Sequence, residues 1–139
     1  KEEQGKTLIY DDIRSKYVVL TPEEWVRQHC IKYLSELKQV PAGLISVEKG
    51  ITINSKRLRY DAVVYSKKGL PILLLECKAP DVPIVQETFN QIAAYNIELN
   101  VPFLWVTNGL KHFFCCVDKQ QKKVLFLKEL PNYAQMNAY

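Results

Sequence analysis

Three side chains in the middle of the sequence have the types and spacing that phosphate chemistry uses. Asp61 is followed, after fourteen intervening residues, by Glu76, and Lys78 stands two positions further on. Two carboxylates and an ammonium are the parts needed for metal-assisted hydrolysis of a phosphodiester. A hard divalent cation such as Mg²⁺ takes one or two carboxylates together with waters and phosphate oxygens. It lowers the pKa of a bound water and stabilises the charge that develops on the phosphate. A lysine beside it can orient that water or offset the charge.

The elements that must position these residues are legible around them. Pro71 opens Ile72-Leu73-Leu74-Leu75, a continuous aliphatic run of strand length, as in a strand buried on both faces of a sheet. That run leads directly into Glu76-Cys77-Lys78, and strand alternation puts Glu76 and Lys78 on one side. Opposite charges ending a buried strand are costly unless they pair or bind something. Asp61 lies in the preceding strand, Leu58 to Tyr65, beyond the turn Lys67-Lys68-Gly69. If the two strands are antiparallel neighbours, one carboxylate from each meets across the pair.

Thr21-Pro22-Glu23-Glu24 predicts a helix start, with Thr21 as N-cap, Pro22 at the first helical position and Thr21/Glu24 as a capping box. Val26, Cys30, Tyr33, Leu34 and Leu37 make its apolar stripe, and it should end near Lys38. Leu44 to Glu48 and Ile51 to Ile53 read as strand runs, with a turn at Asn54 to Lys56. Asp81 is expected to cap a second helix whose apolar face is Val85, Phe89, Ile92 and Leu99. Gln91 and Tyr95 lie one turn apart on a face of that helix. Val101 to Val106 is a further buried strand, closed by Asn108-Gly109. Lys111 to Val117 and Lys123 to Leu127 form a closing hairpin. Thr7 to Tyr10 and Tyr17 to Leu20 form a small hairpin or two extended arms, Lys1 to Lys6 is frayed, and the tail from Pro131 shows no element. The expected architecture is one α/β domain over 1–139, a mixed central sheet flanked by helices, with 1–16 as an arm and 131–139 as a tail.

The pattern Asp61, then Glu76-x-Lys78, resembles the signature of PD-(D/E)XK nucleases. Tyr17-Val-Val-Leu-Thr-Pro-Glu-Glu-Trp-Val-Arg-Gln-His29, Glu76-Cys-Lys-Ala-Pro80 and Val106-Thr-Asn-Gly109 are similar to the N-terminal nuclease domain of type I restriction enzyme R (HsdR-like) subunits. The resemblance spans roughly Tyr17 to Val117 and implies a restriction-endonuclease-like fold and a Mg²⁺-dependent DNA endonuclease, with Mn²⁺ as a substitute. It implies Asp61, Glu76 and Lys78 as the catalytic set. Asp61, Glu76 and the Cys77 main-chain carbonyl would be metal ligands, and Gln91 and Tyr95 supporting residues. The proline that often precedes the first Asp is Tyr60 here. A restriction subunit continues into motor domains, whereas this sequence has no G-x-x-x-x-G-K-[ST] phosphate loop, so DNA translocation is not expected of it. The chain opens with Lys1 and its one methionine is Met136, so the natural start is expected to lie upstream.

Short motifs of this kind recur by chance. Glu36-Leu37-Lys38 repeats the Glu-x-Lys pattern on the first helix, and Gln135 and Tyr139 repeat Gln-x-x-x-Tyr in the tail. Only the copy at Glu76 ends a buried strand and follows an Asp-bearing one. Glu48 is a third carboxylate for the site or an exposed strand-end acid. Glu24 is a capping residue or projects toward the site. Lys56, Arg57, Arg59, Lys67 and Lys68 cluster at the strand turns beside Asp61, where they follow a phosphate backbone or simply solubilise the turns. Trp25 and Trp105 read as core, and His29 and His112 as structural histidines. A net charge of +4 permits a polyanionic partner without requiring one. Cys30, Cys77, Cys115 and Cys116 contain no C-x-x-C pair and read as buried free thiols of a reducing compartment. Neither a bilayer-spanning run nor a signal peptide is present, so a cytoplasmic protein is expected. The expected partners are DNA and either a second copy or a restriction or defence complex. The rival reading is a docking module that keeps the fold, with Glu76 and Lys78 as a structural ion pair.

Overall fold

The computed structural model describes residues 1–53, 56–118, 120, 121 and 123–139; for residues 48–53, 56–59, 88, 91, 95, 98 and 99 it describes the backbone alone. The chain opens with β1 (Glu2–Glu3), β2 (Lys6–Asp11) and β3 (Lys16–Val19), an antiparallel sheet in that order. The hairpin expected here is present. The first residues, expected to fray, are instead paired to it, Glu2 facing Thr7.

Helix α1 (Pro22–Glu36) starts where the sequence places it, and the Thr21 hydroxyl accepts the Glu24 N–H at 3.0 Å. Only this half of the expected capping box carries over, because the Glu24 side chain turns to Arg14 and Arg27. The buried face is Glu24, Val26, Arg27, Cys30, Ile31 and Leu34. Leu37, expected in the stripe, lies past the last helical residue and is 67% exposed, and Trp25, expected in the core, is 47% exposed.

The main sheet has six strands in sequence order: β4 (Ile45–Ile53), β5 (Lys56–Tyr65), β6 (Pro71–Cys77), β7 (Phe103–Thr107), β8 (His112–Asp118) and β9 (Lys123–Leu127). Its first strand is continuous where the sequence suggests two runs. All neighbours are antiparallel except β6 and β7, which run parallel, Leu73 beside Phe103 through Cys77 beside Thr107. A parallel pair needs a crossover, and α2 (Gln86–Leu99) supplies it. It begins at Gln86 rather than after Asp81, whose segment forms a turn closed by the Val82 N–H on the Ala79 carbonyl. The tail forms α3 (Tyr133–Ala138), capped by Asn132 and Gln135; six residues are too few for a periodic pattern to show.

The sheet is covered on both faces. Val26, Cys30 and Leu34 of α1 and Tyr133 and Met136 of α3 pack with Ala62, Val64, Leu73, Leu75 and Trp105. Phe89 and Ala93 of α2 pack on the other side with Val63, Leu74, Leu104 and Val106. Leu73, Leu74 and Leu75 are each fully buried, which is why that strand reads as an unbroken aliphatic run. All four cysteines are buried free thiols. No helix among the described residues is long and apolar enough to cross a membrane.

Candidate active site

Strand register brings the two carboxylates together. Ala62 pairs with Leu75 in the β5–β6 ladder, so Asp61 and Glu76 are the next residues to face each other. Asp61 then takes the place of a main-chain acceptor: its Oδ2 accepts the Cys77 N–H at 2.7 Å. On the other flank the Lys78 N–H donates to the Thr107 carbonyl at 2.8 Å, carrying the β6–β7 pairing one residue past the strand. Glu76-Cys77-Lys78 is thus pinned from both sides. Asp61, Glu76 and Lys78 share a cleft of ≈ 300 Å³ with Glu23, Arg27, Tyr60 and Cys77.

Burial first, and then the charge on Asp61, push the Glu76 carboxyl up from its ordinary 4.5 to about 7, against the downward pull of Lys78. Burial and the same Asp61 charge also raise Glu23. Among the described residues, neither Glu76 nor Lys78 has an opposite charge within 4.0 Å. The contact that a structural Glu76–Lys78 ion pair requires is therefore not made. Asp61 instead holds Arg27, whose Nη2 donates to its Oδ1 at 2.8 Å.

Two residues of the cleft, Glu23 and Arg27, were not among the sequence candidates. They stand four apart near the start of α1, one helical turn along a common face. The sequence points to Glu24 instead. That side chain lies behind the cleft, where its Oε1 accepts from Arg27 Nη1 at 2.9 Å and from Arg14 Nη2 at 2.6 Å. An arginine beside a buried stripe, four residues after an acid, was the available signal.

The remaining candidates divide into three groups. The side chains of Glu48, Lys56, Arg57, Arg59, Gln91 and Tyr95 lie outside the described residues. Lys67 and Lys68, expected beside Asp61, are exposed in the turn at the opposite end of β6. Five strand steps from Pro71 to Glu76 put that turn roughly 17 Å away. His29 and His112 line a different cavity, of ≈ 480 Å³, with Trp25 and Trp105. There His29 packs on Trp25 at 4.1 Å, and His112 Nδ1 is 2.7 Å from Thr107 Oγ1. Burial lowers the His112 pKa, which fits a structural imidazole.

The Asn108-Gly109 turn acts on the site indirectly. Asn108 Nδ2 donates to the Val82 carbonyl at 2.9 Å, tethering the loop that follows Lys78. Gly109 has φ +87, and a Cβ there would meet Val26 Cγ2 at 3.2 Å, so the turn needs a glycine.

The residues fit a hard divalent cation. Among the described residues, the cleft and the side chains hydrogen-bonded behind it hold five carboxyl groups (Asp11, Glu23, Glu24, Asp61, Glu76) against three cations (Arg14, Arg27, Lys78). Once Glu76 is ionised a 2+ ion would offset that excess, and two convergent carboxylates are what Mg²⁺ ordinarily takes from a protein. No cluster of three His, Cys, Asp or Glu is preassembled as a cation site among the described residues.

Residues 22–131 match the family described as type I restriction enzyme R protein N terminus (HSDR_N). The chain belongs to this family. Two solved structures resemble this chain. One is a protein of Anabaena variabilis ATCC 29413 assigned as a nuclease of the DUF820 group, with a TM-score of 0.53 and 11% identity over 99% of this chain and 93% of that one. The other is a fragment assigned as an HsdR subunit of a type I restriction enzyme from Vibrio vulnificus YJ016, with a TM-score of 0.56 and 19% identity. That match covers 84% of this chain, which spans 24% of the fragment. The fold of the chain is thus restriction-endonuclease-like, as its sequence implies. No curated protein matches the chain.

Proposed function

We propose that this member of the type I restriction enzyme R N-terminal family is a Mg²⁺-dependent DNA endonuclease that hydrolyses phosphodiester bonds, with Asp61, Glu76 and Lys78 as its catalytic residues. The observation that carries the reading is the convergence of these three side chains in one cleft at the end of the strand whose Leu73-Leu74-Leu75 run is fully buried. Asp61 and Glu76 would hold the metal, with the Cys77 carbonyl as a third ligand and Mn²⁺ able to replace Mg²⁺. The bound cation supplies an acidified water and charge stabilisation on the phosphate. Asp61 is kept in place by the Cys77 N–H. Glu76 must give up its proton to serve as a ligand. Lys78, with no carboxylate at ion-pair distance among the described residues, is available to orient the attacking water. Glu23, with Glu48, Gln91 and Tyr95, would support the site, and Lys56, Arg57 and Arg59 would follow the DNA backbone. The chain would work in the cytoplasm, where thiols stay reduced, as a homodimer or within a restriction or defence complex.

One observation favours a second reading. Asp61 is ion-paired with Arg27, as in a domain that keeps the fold but serves only to bind DNA or a partner. Cleavage of plasmid and linear DNA with Mg²⁺ or Mn²⁺, run beside Asp61→Ala and Lys78→Ala, separates the two. Cleavage lost in both variants is expected. A wild type that takes up metal neither with nor without DNA, and cleaves nothing, would favour the docking domain.

A further inference from the structure

A line of alternating charge runs from the N-terminal hairpin into the cleft. Asp11, fully buried at the end of β2, accepts the main-chain N–H groups of Ile13 and Arg14 and, at 2.6 Å, Arg14 Nε. Arg14 Nη2 reaches Glu24 Oε1 at 2.6 Å, and Arg27 Nη1 reaches that same oxygen at 2.9 Å. Arg27 Nη2 then ends the line on Asp61 Oδ1 at 2.8 Å. Gln28 braces the middle, its Nε2 lying 2.9 Å from Asp11 Oδ2 and 3.2 Å from Glu24 Oε2.

We infer that Arg27 is a positioning residue that sets how tightly the cleft takes a divalent cation, and that the N-terminal hairpin controls it through Arg14 and Glu24. This inference rests on the proposed reading of Asp61 and Glu76 as metal ligands. Two effects of Arg27 oppose each other. Its hydrogen bond orders the Asp61 carboxylate, which favours binding, and its charge would repel a cation approaching that carboxylate. The ordering is largely redundant, because the Cys77 N–H already holds the other oxygen. The repulsion is not, since a 2+ ion doubles the Coulomb energy of a unit pair and the cleft is partly desolvated. Repulsion therefore wins, and Arg27 lowers cation affinity. The structure also offers Arg27 another acceptor: Glu23 Oε1 is 3.7 Å from the same Nη2 and its side chain is half exposed. Arg27 can shift to Glu23 as a cation arrives. Arg14 governs that shift at a distance. With Arg14 gone, Glu24 loses a charged donor on Oε1, the oxygen it shares with Arg27, and draws Arg27 away from Asp61.

Calorimetric titration with Mn²⁺ alone, at one mildly alkaline pH, tests this on the wild type, Arg27→Gln, Arg14→Gln and Asp61→Asn. Arg27→Gln should bind roughly tenfold more tightly than the wild type, within the usual range of coupling between sites, and Arg14→Gln about two- to threefold more tightly, below that range because it acts through Glu24. Asp61→Asn should not bind. Arg27 is nine-tenths buried; if its variant does not fold, Arg14→Gln decides, because that change lies outside the cleft. Affinity that is equal to or weaker than wild type in the folded arginine variants, while Asp61→Asn still abolishes binding, overturns the inference and leaves the proposed function standing. Absence of Mn²⁺ binding in the wild type and both arginine variants overturns this inference, and the proposed function falls with it when added DNA restores neither uptake nor cleavage.

Discussion

Asp61 and Cys77 are joined across two antiparallel strands by a side-chain-to-main-chain bond, the Cys77 N–H donating to Asp61 Oδ2 at 2.7 Å. The two immediate neighbours of Cys77 are Glu76 and Lys78. One bond therefore fixes Asp61 relative to both, and the site's geometry is inherited from strand pairing rather than from a mobile loop.

Replacing Asp61 by Asn should abolish cleavage and also loosen the fold. Asn cannot offer Arg27 a charge, while the buried guanidinium retains its contacts with Glu23 and Glu24. Removing one partner of a buried pair costs about 3–5 kcal/mol, and the retained contacts should hold the loss to about 1–3 kcal/mol. Urea unfolding beside a nicking assay measures both. Unchanged stability would mean that the Arg27–Asp61 contact contributes little in solution.

Glu76 should make both stability and metal uptake depend on pH, in opposite directions. Its folded-state pKa is raised from 4.5 to about 7, so the folded chain holds a proton that the unfolded chain has released. The stability that this proton contributes is fully present below pH 4.5 and is lost as pH rises toward 7. Cation affinity runs the other way, increasing through pH 7 as the carboxylate forms. Glu76→Gln should flatten the stability profile over that window. Identical profiles for the two proteins would place the titrating group elsewhere.

Lys78→Ala should separate binding from chemistry. Removing an ammonium beside two carboxylates leaves Mn²⁺ affinity equal or higher, while cleavage should fall by about 10²–10⁴, the usual contribution of a positioned proton-handling group. Calorimetry and single-turnover cleavage on the same sample would show it. Loss of metal binding in this variant would instead assign Lys78 a structural role.

Leu75→Ala tests the platform. Leu75 is fully buried and packs with Val26 and Leu34 of α1 in the core that the helix shares with the sheet. A cost of about 2–5 kcal/mol is expected on chemical unfolding. Because α1 also carries Glu23 and Arg27, cleavage should fall along with stability.

The strand carrying Glu76 was legible because full burial on both faces leaves a local mark, an unbroken aliphatic run. The start of α1 was legible because Thr21 and Pro22 satisfy cap geometry within a few residues. Asp81 misled for the converse reason: it is a good cap by type, yet the segment from Ala79 to Val85 is held as a loop by Asn108, from a distant turn. The candidate site shows the same boundary. Residue type and spacing singled out Asp61, Glu76 and Lys78, since their chemistry is a property of the side chains and their strands are locally encoded. Which acid of Glu23-Glu24 faces the cleft was not so encoded, because adjacent helical residues point about 100° apart and only docking of α1 sets the rotation. Nor was Arg27 readable as the partner of Asp61. Its contacts come from segments 34 residues apart in the chain, and only tertiary packing brings their charges within reach.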